Sequence, residues 1–191
     1  LGREIRLRLD ANGAWSERQA VRTLLALASF DIEYVEQPIE PGGLTALRHI
    51  RESVPIPIAA DEEITNADSA QQVIAARAVD LLVLKPIPLG GVGPTRQIVA
   101  AARAAGIDSV ITPSIDTGIG TAAALQLAAE AGGRRAHGLA TLDLLVDDLI
   151  LEPALPVIDG SMRLPAAPGL GVALDEAALE RYTVDAWEVR A

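Results

Sequence analysis

The chain has 191 residues, half of them hydrophobic and 3% aromatic, with a formal net charge of −10. That length holds one good-sized core or part of a larger one, and the acidic balance leaves no basic stripe to neutralise phosphates, which excludes nucleic acid as a partner. There is no cysteine, so disulfides, thiolate metal sites and a cysteine nucleophile are excluded, and a reducing cytoplasm is the expected compartment.

No apolar run reaches the ~20 residues of a membrane span and no signal peptide is visible, so a membrane is not an expected partner. Leu1-Gly2-Arg3 runs into a strand without a methionine, which reads as the start of a piece cut from a longer protein. Ile5–Leu9 alternates apolar residues with arginine and predicts a strand ending at Asp10. Ser16, with Gln19 three residues on, predicts a capped helix over Glu17–Ala28. Ile32–Val35 is the second strand, closed by Glu36-Gln37-Pro38, and Gly42–Ser53 the second helix. Ile56–Ala60 is the third strand, closed by Asp61-Glu62; Asn66 or Asp68 caps the helix that runs to Ala78. Leu81–Leu84 is the fourth strand, closed by Lys85-Pro86. A turn over Gly90–Gly93 leads to a helix over Pro94–Ala105. Ser109–Thr112 is the fifth strand, Thr117–Ala131 the next helix, and Ala136–Ala140 a sixth short strand.

Short apolar strands separated by helices of ten or more residues are the signature of βα units and a parallel sheet. The strand-end residues Asp10, Glu36, Asp61 and Lys85 are spaced 26, 25 and 24 apart, with Ser114 a further 29 on and Thr141 another 27. A regular period with a polar residue closing every strand predicts an α/β fold of the (β/α)8 TIM type, whose active site is built at those ends. About six βα units are visible, so the expectation is a partial barrel whose first strands and any N-terminal capping domain precede Leu1. The barrel part is placed at 1–152. After it, Asp143–Leu151 reads as a short acidic helix or turn. The remaining 153–191 read as a C-terminal segment that packs back, with a hairpin over Val157–Leu164 turning at Asp159-Gly160 and a last helix over Asp175–Tyr182.

Asp10, Glu36 and Asp61 end consecutive strands, and neighbouring strands lie ~4.8 Å apart, so the three carboxylates can converge. Converging carboxylates repel unless a cation sits between them. An all-oxygen donor set favours Mg²⁺, with Mn²⁺ or Ca²⁺ as alternatives. Lys85, the single lysine among sixteen basic residues, follows on the next strand. It is either a strand-end residue reaching for water or a functional group, because a desolvated lysine beside a cation loses its proton more readily than arginine and can serve as a base. Gly90–Gly93 reads as a βα turn rather than a phosphate cradle. His49 reads as a surface residue, His137 as structural, and Trp15 and Trp187 as packing residues. Asp147-Asp148 reads as a solvated helix end.

Leu9-Asp10-Ala11-Asn12, Glu33–Pro38, Ala59–Glu63 and Leu82–Pro86, joined by Leu89-Gly90-Gly91, Ser114–Gly118 and Pro168–Gly171, resemble the barrel motifs of the enolase superfamily. Within it they resemble the muconate-lactonising subgroup and its o-succinylbenzoate synthase family. The likeness runs from about Ile5 to Leu179. It implies a lyase of menaquinone biosynthesis that dehydrates a small carboxylate substrate through a metal-stabilised enediolate. It also implies Mg²⁺ ligands at Asp10, Glu36 and Asp61, and Lys85 as a cation beside the enediolate. Ser114 and Gly118 would contact the distal part of the substrate, and Asn12 would support the first ligand. A homo-oligomer is compatible with the resemblance. The family's second lysine, in a Lys-x-Lys motif one strand before Asp10, has no counterpart here. N-acylamino acid racemases, dipeptide epimerases and muconate cycloisomerases share every motif quoted. A Schiff-base aldolase using Lys85, and an inactive barrel kept for binding or assembly, are the readings outside that chemistry.

Overall fold

The computed structural model describes residues 5–187; the reading attached to Leu1-Gly2-Arg3 lies outside them. Among the described residues, five parallel strands form one sheet: β1 (Leu7–Asp10), β2 (Ile32–Glu36), β3 (Ile58–Ala60), β4 (Leu81–Leu84) and β5 (Asp108–Ile111). They are hydrogen-bonded in sequence order, each parallel to the next. A strand order that never reverses is that of a barrel wall, whereas a doubly wound sheet reverses at its switch point. The fold is therefore a partial TIM-type barrel. Helices α1 (Glu17–Leu27), α2 (Leu44–Ser53), α3 (Ala67–Ala76) and α4 (Val92–Ala104) make the crossovers, and α5 (Gly118–Ala131) follows β5.

The period of two along each strand divides the sheet into two faces. Ile58, Ala60, Leu82, Leu84 and Ile111 face the helices and join Leu24, Leu47, Ile50, Val73 and Ile98 in the main core. Tyr34, Ala59, Leu81, Val83 and Val110 form a smaller buried cluster on the opposite, inner face. Lys85 and Asp61 continue the inner register by two residues from Val83 and Ala59, so the strands that bury this cluster also present the polar ends.

Local signals set the helix starts. Ser16 accepts from the Gln19 amide while the Gln19 side chain returns to the Ser16 amide, the reciprocal cap expected there. Of the two candidates for α3, Asn66 is the cap, accepting from the Ser69 amide at 2.9 Å.

The sixth strand expected at Ala136–Ala140 does not form. Gly138 donates to the Ile111 carbonyl at 2.9 Å, but the Ile111 amide donates to Nδ1 of His137 at 3.0 Å. The Thr112 hydroxyl donates to the Gly138 carbonyl. Side chains take ladder positions that a strand would fill with backbone, and the regular pairing ends at β5. His137 is thus structural, and burial pushes its imidazole pKa down.

At the amino-terminal end of the strands, β1 and β2 shift register between Leu7 and Arg8. The nearly buried Glu33 carboxylate accepts from Arg8 Nε at 2.7 Å and pairs with Arg135 at 3.4 Å. The Arg8 guanidinium lies 4.8 Å from the centroid of the Tyr34 ring.

Beyond α5 the chain makes a single helical turn at Leu142–Leu144 within the segment read as an acidic helix or turn. A two-stranded hairpin follows, β6 (Val157–Ile158) and β7 (Ser161–Met162), with Asp159 and Gly160 both at positive φ as its tight turn demands. The last helix, α6 (Glu176–Tyr182), is capped by Asp175. The tail is tied to the segment after the barrel by Leu151 donating to Ala173, Ala173 to Glu152 and Asp175 to Leu149. Trp15 packs partly buried against the main core. Trp187 does not pack as expected: it is 82% exposed, beyond the end of α6 where no element covers it. Among the described residues no helix is long and apolar enough to cross a membrane.

Candidate active site

Asp10 and Glu36 are paired directly across β1 and β2, and Glu36 is paired with Ala59 across β2 and β3. Asp61 follows β3 by one residue and Lys85 follows β4 by one residue. The four ionisable ends therefore line one rim of the sheet, acid, acid, acid, cation, on four successive strands. Two of the side chains are in contact: the Lys85 ammonium donates to the nearly buried Asp61 carboxylate.

The electrostatics follow from that crowding. Burial, hydrogen bonding with Asp61 and the charges of Asp61 and Asp10 push the Glu36 carboxyl up to about 8, against the pull of Lys85. Burial alone would lower the Lys85 ammonium, but the hydrogen bond to Asp61 and the charges of Asp61, Glu62 and Glu36 outweigh it, and its pKa is raised. The lowering expected from the sequence assumed a divalent cation among these acids; with the acids alone around it, the lysine is shifted the other way. The acids counted there only as metal ligands also surround the lysine and hold its proton on.

Asp10 is exposed and faces Asn12, whose backbone amide donates to Oδ1 at 2.9 Å and whose side-chain amide donates to Oδ2 at 2.8 Å. Asn12 reaches this position at a φ of 45°, which asparagine tolerates better than most residues. With Asp10 turned to Asn12 and Asp61 to Lys85, no three His, Asp or Glu side chains among the described residues are gathered as a metal cage. The donor chemistry nevertheless fits a hard divalent cation. Three carboxylates end adjacent strands, and two of them are close enough for one to be pushed to near-neutral pKa.

Ser114 lies exposed past β5, its amide donating to the Asp116 carboxylate at 3.3 Å. Gly118 opens α5 and is buried. Its amide donates to Asp148 Oδ1 at 2.6 Å, so that donor is directed to the tail loop rather than to the strand ends. Asp148 is thereby a structural acceptor, and Asp147 bonds Tyr182 and Arg181. The Gly90 and Gly91 amides donate to the carbonyls of Ile87 and Pro86 inside a turn of positive φ, so these two donors are engaged within a βα turn rather than offered to a phosphate. His49 is exposed on α2 beside Glu17.

One residue had no role in the sequence reading. Gln37 is fully buried, with a φ of 34°. Its side-chain oxygen accepts from the Asp61 amide at 3.1 Å and the Glu63 amide at 3.3 Å, and its Nε2 donates to the Ile39 carbonyl at 2.8 Å. The available signal was its position, directly after Glu36 in the segment that closes β2.

A one-way parallel wall carries an acidic trio and a lysine on its carboxyl-end rim, the end at which TIM-type barrels build their active sites. The chain belongs to the family described as enolase C-terminal domain-like, whose model matches residues 1–178. It is 42% identical over 158 residues to the o-succinylbenzoate synthase of Thermobifida fusca, which covers 82% of this chain and 48% of that protein. It is 34% identical over 181 residues to muconate cycloisomerase 1 of Rhodococcus opacus, covering 93% of this chain and 48% of that one. The crystal structure of muconate cycloisomerase from Pseudomonas fluorescens superposes with a TM-score of 0.86 at 31% identity, over 97% of this chain and 51% of the other. The chain thus spans about half the length of the proteins it matches.

Proposed function

We propose that this chain carries the catalytic face of a cytoplasmic carbon–oxygen lyase that dehydrates a cyclohexadiene carboxylate to o-succinylbenzoate in menaquinone biosynthesis, with Mg²⁺ as cofactor and Mn²⁺ as substitute. The observation that carries the reading is the Lys85 side chain donating to Asp61, beside Glu36, at the ends of neighbouring strands. The identity to a synthase of that name supports the substrate.

Asp10, Glu36 and Asp61 would hold the metal, and a divalent ion there supplies positive charge to the substrate carboxylate as its α-proton leaves. Lys85 contributes a second, fixed positive charge on the same rim. Donating to Asp61, it acts as an electrostatic stabiliser of the developing anion rather than as the base. Asn12, donating twice to Asp10, restrains that carboxylate. Ser114, exposed beyond β5, is offered to the distal part of the substrate. Gly118 contributes through the shape of the loop, since its amide is engaged by Asp148.

The second reading is cycloisomerisation of a muconate, supported by the likeness to muconate cycloisomerase 1 along 93% of the chain. A Schiff-base aldolase fits worse, because the Lys85 nitrogen is engaged by the Asp61 carboxylate, whereas a nucleophilic lysine needs a free amine. The deciding experiment assays the purified protein with the cyclohexadiene carboxylate, a muconate and an N-acylamino acid, with Mg²⁺ and with EDTA. Metal-dependent release of o-succinylbenzoate, lost in Lys85→Ala, is expected. Turnover of another substrate alone overturns the substrate assignment, and trapping of a borohydride-reducible adduct on Lys85 overturns the reaction class.

A further inference from the structure

Gln37 sits where the three acid-bearing loops meet. Its backbone carbonyl accepts from Gly13 at 2.8 Å, in the loop that carries Asp10 and Asn12. Its own amide donates to the Ala59 carbonyl at 2.9 Å, on the strand that leads to Asp61. Its side-chain oxygen takes both the Asp61 and Glu63 amides. Glu63 in turn accepts the Gly42 amide with both carboxylate oxygens, at 3.1 and 3.0 Å, closing the connection back to the loop after β2. Glu36 is its covalent neighbour. Gln37 thus reaches the Asp10 loop through its backbone carbonyl and the Asp61 loop through its side chain.

The chemistry needs a neutral amide. A buried side chain that must accept two amide protons and donate one is satisfied by glutamine; a carboxylate could accept but not donate, and an apolar chain could do neither. Leaving those partners unpaired in a dry site is costly. The residue adopts a left-handed φ of 34° that a glutamine takes only under restraint.

We propose that Gln37 is the positioning residue of this site: it holds the loops bearing Asp10, Glu36 and Asp61 in mutual register, and so sets their affinity for a divalent cation. The inference rests on the reading of those three residues as metal ligands. Groups that orient metal ligands without touching the metal typically change affinity 10–100-fold when altered.

The test compares the parent protein with Gln37→Met, which removes both polar functions, and Gln37→Asn. Asn keeps the amide and suits the positive φ but is one methylene too short to reach the Asp61 and Glu63 amides. Two quantities are read: Mg²⁺ affinity by calorimetry, and hydrogen exchange at the Asp61 and Glu63 amides. Both variants are expected to bind Mg²⁺ at least about tenfold more weakly and to lose protection at those two amides. They should keep protection in β4 and β5. Mg²⁺ affinity within twofold of the parent, with both amides still protected, overturns the proposal. So does a uniform loss of protection through the whole sheet in Gln37→Asn, which marks a merely structural role. A parent that binds no Mg²⁺ overturns the ligand reading instead, while exchange at Asp61 and Glu63 still decides whether Gln37 holds the loops.

Discussion

The Lys85 ammonium donates to the Asp61 carboxylate across the ends of β4 and β3. One hydrogen bond therefore links the two kinds of charge on this rim, and altering either partner changes the other. Asp61 sits at the junction: it faces Lys85 through its side chain and Gln37 through its amide, and it raises Glu36.

Replacing Lys85 by arginine keeps the positive charge but spreads it over a wider planar group that cannot occupy the same point. Turnover is expected to fall by about 10²–10³-fold, the range for loss of one electrostatic stabiliser, while calorimetry shows Mg²⁺ binding retained. Near-normal turnover in Lys85→Arg would reduce the lysine to a strand-end residue.

Asp61→Ala removes one of the three acids. A calorimetric Mg²⁺ titration should show a single site in the parent and none in the variant. Unchanged binding in Asp61→Ala would remove this residue from the ligand set.

Glu36 gives a pH dependence with a definite sign. An unfolded glutamate releases its proton near 4.5, whereas folded Glu36 keeps its proton until about 8. Between those values the folded state binds the extra proton, so stability declines as pH rises through the window. In EDTA, the melting temperature followed from pH 5 to 8 should show that decline. Glu36→Gln, or saturating Mg²⁺, should flatten it. A parent whose melting temperature rises over the window would contradict the charge arrangement described.

Gly118→Ala tests the tie between α5 and the tail. A methyl group there would lie 2.6 Å from the Asp148 carboxylate and closer still to the Ile150 side chain. Overpacking of this kind costs about 1–3 kcal/mol, which a denaturant titration would resolve as a lowered midpoint at unchanged slope. A midpoint equal to that of the parent would mean that the loop around Asp148 yields freely.

Much of this was legible because strand-end chemistry and helix caps are local. Ser16 with Gln19, Asp159 with Gly160, and the even spacing of Asp10, Glu36, Asp61 and Lys85 each specify structure within a few residues or one repeat. The misses are long-range. Ala136–Ala140 has the composition of a strand, but the bond that ends the ladder comes from the His137 ring, and no periodicity reports which way an imidazole turns. The contact between Lys85 and Asp61 was likewise out of reach, because spacing along the chain does not report which acid a lysine turns to. Gln37 was invisible because a buried amide in a loop leaves no pattern; only its partners, 24 and 26 residues away, reveal it.

The clasp at the opposite end of the sheet bears on how the chain reaches this state. Arg135 donates to the Glu33 carbonyl across 102 residues and also pairs with the Glu33 carboxylate. Each βα unit can pair with its predecessor after a short closure, but this contact closes a loop more than three times as long as any of those steps and bears the larger chain-entropy cost. It is therefore expected to form after the strands between its ends are in place. Interactions made late in folding govern the rate of escape from the folded state more than the rate of arrival. Arg135→Ala is therefore expected to speed unfolding of the sheet more than it slows folding, as stopped-flow unfolding and refolding rates would show.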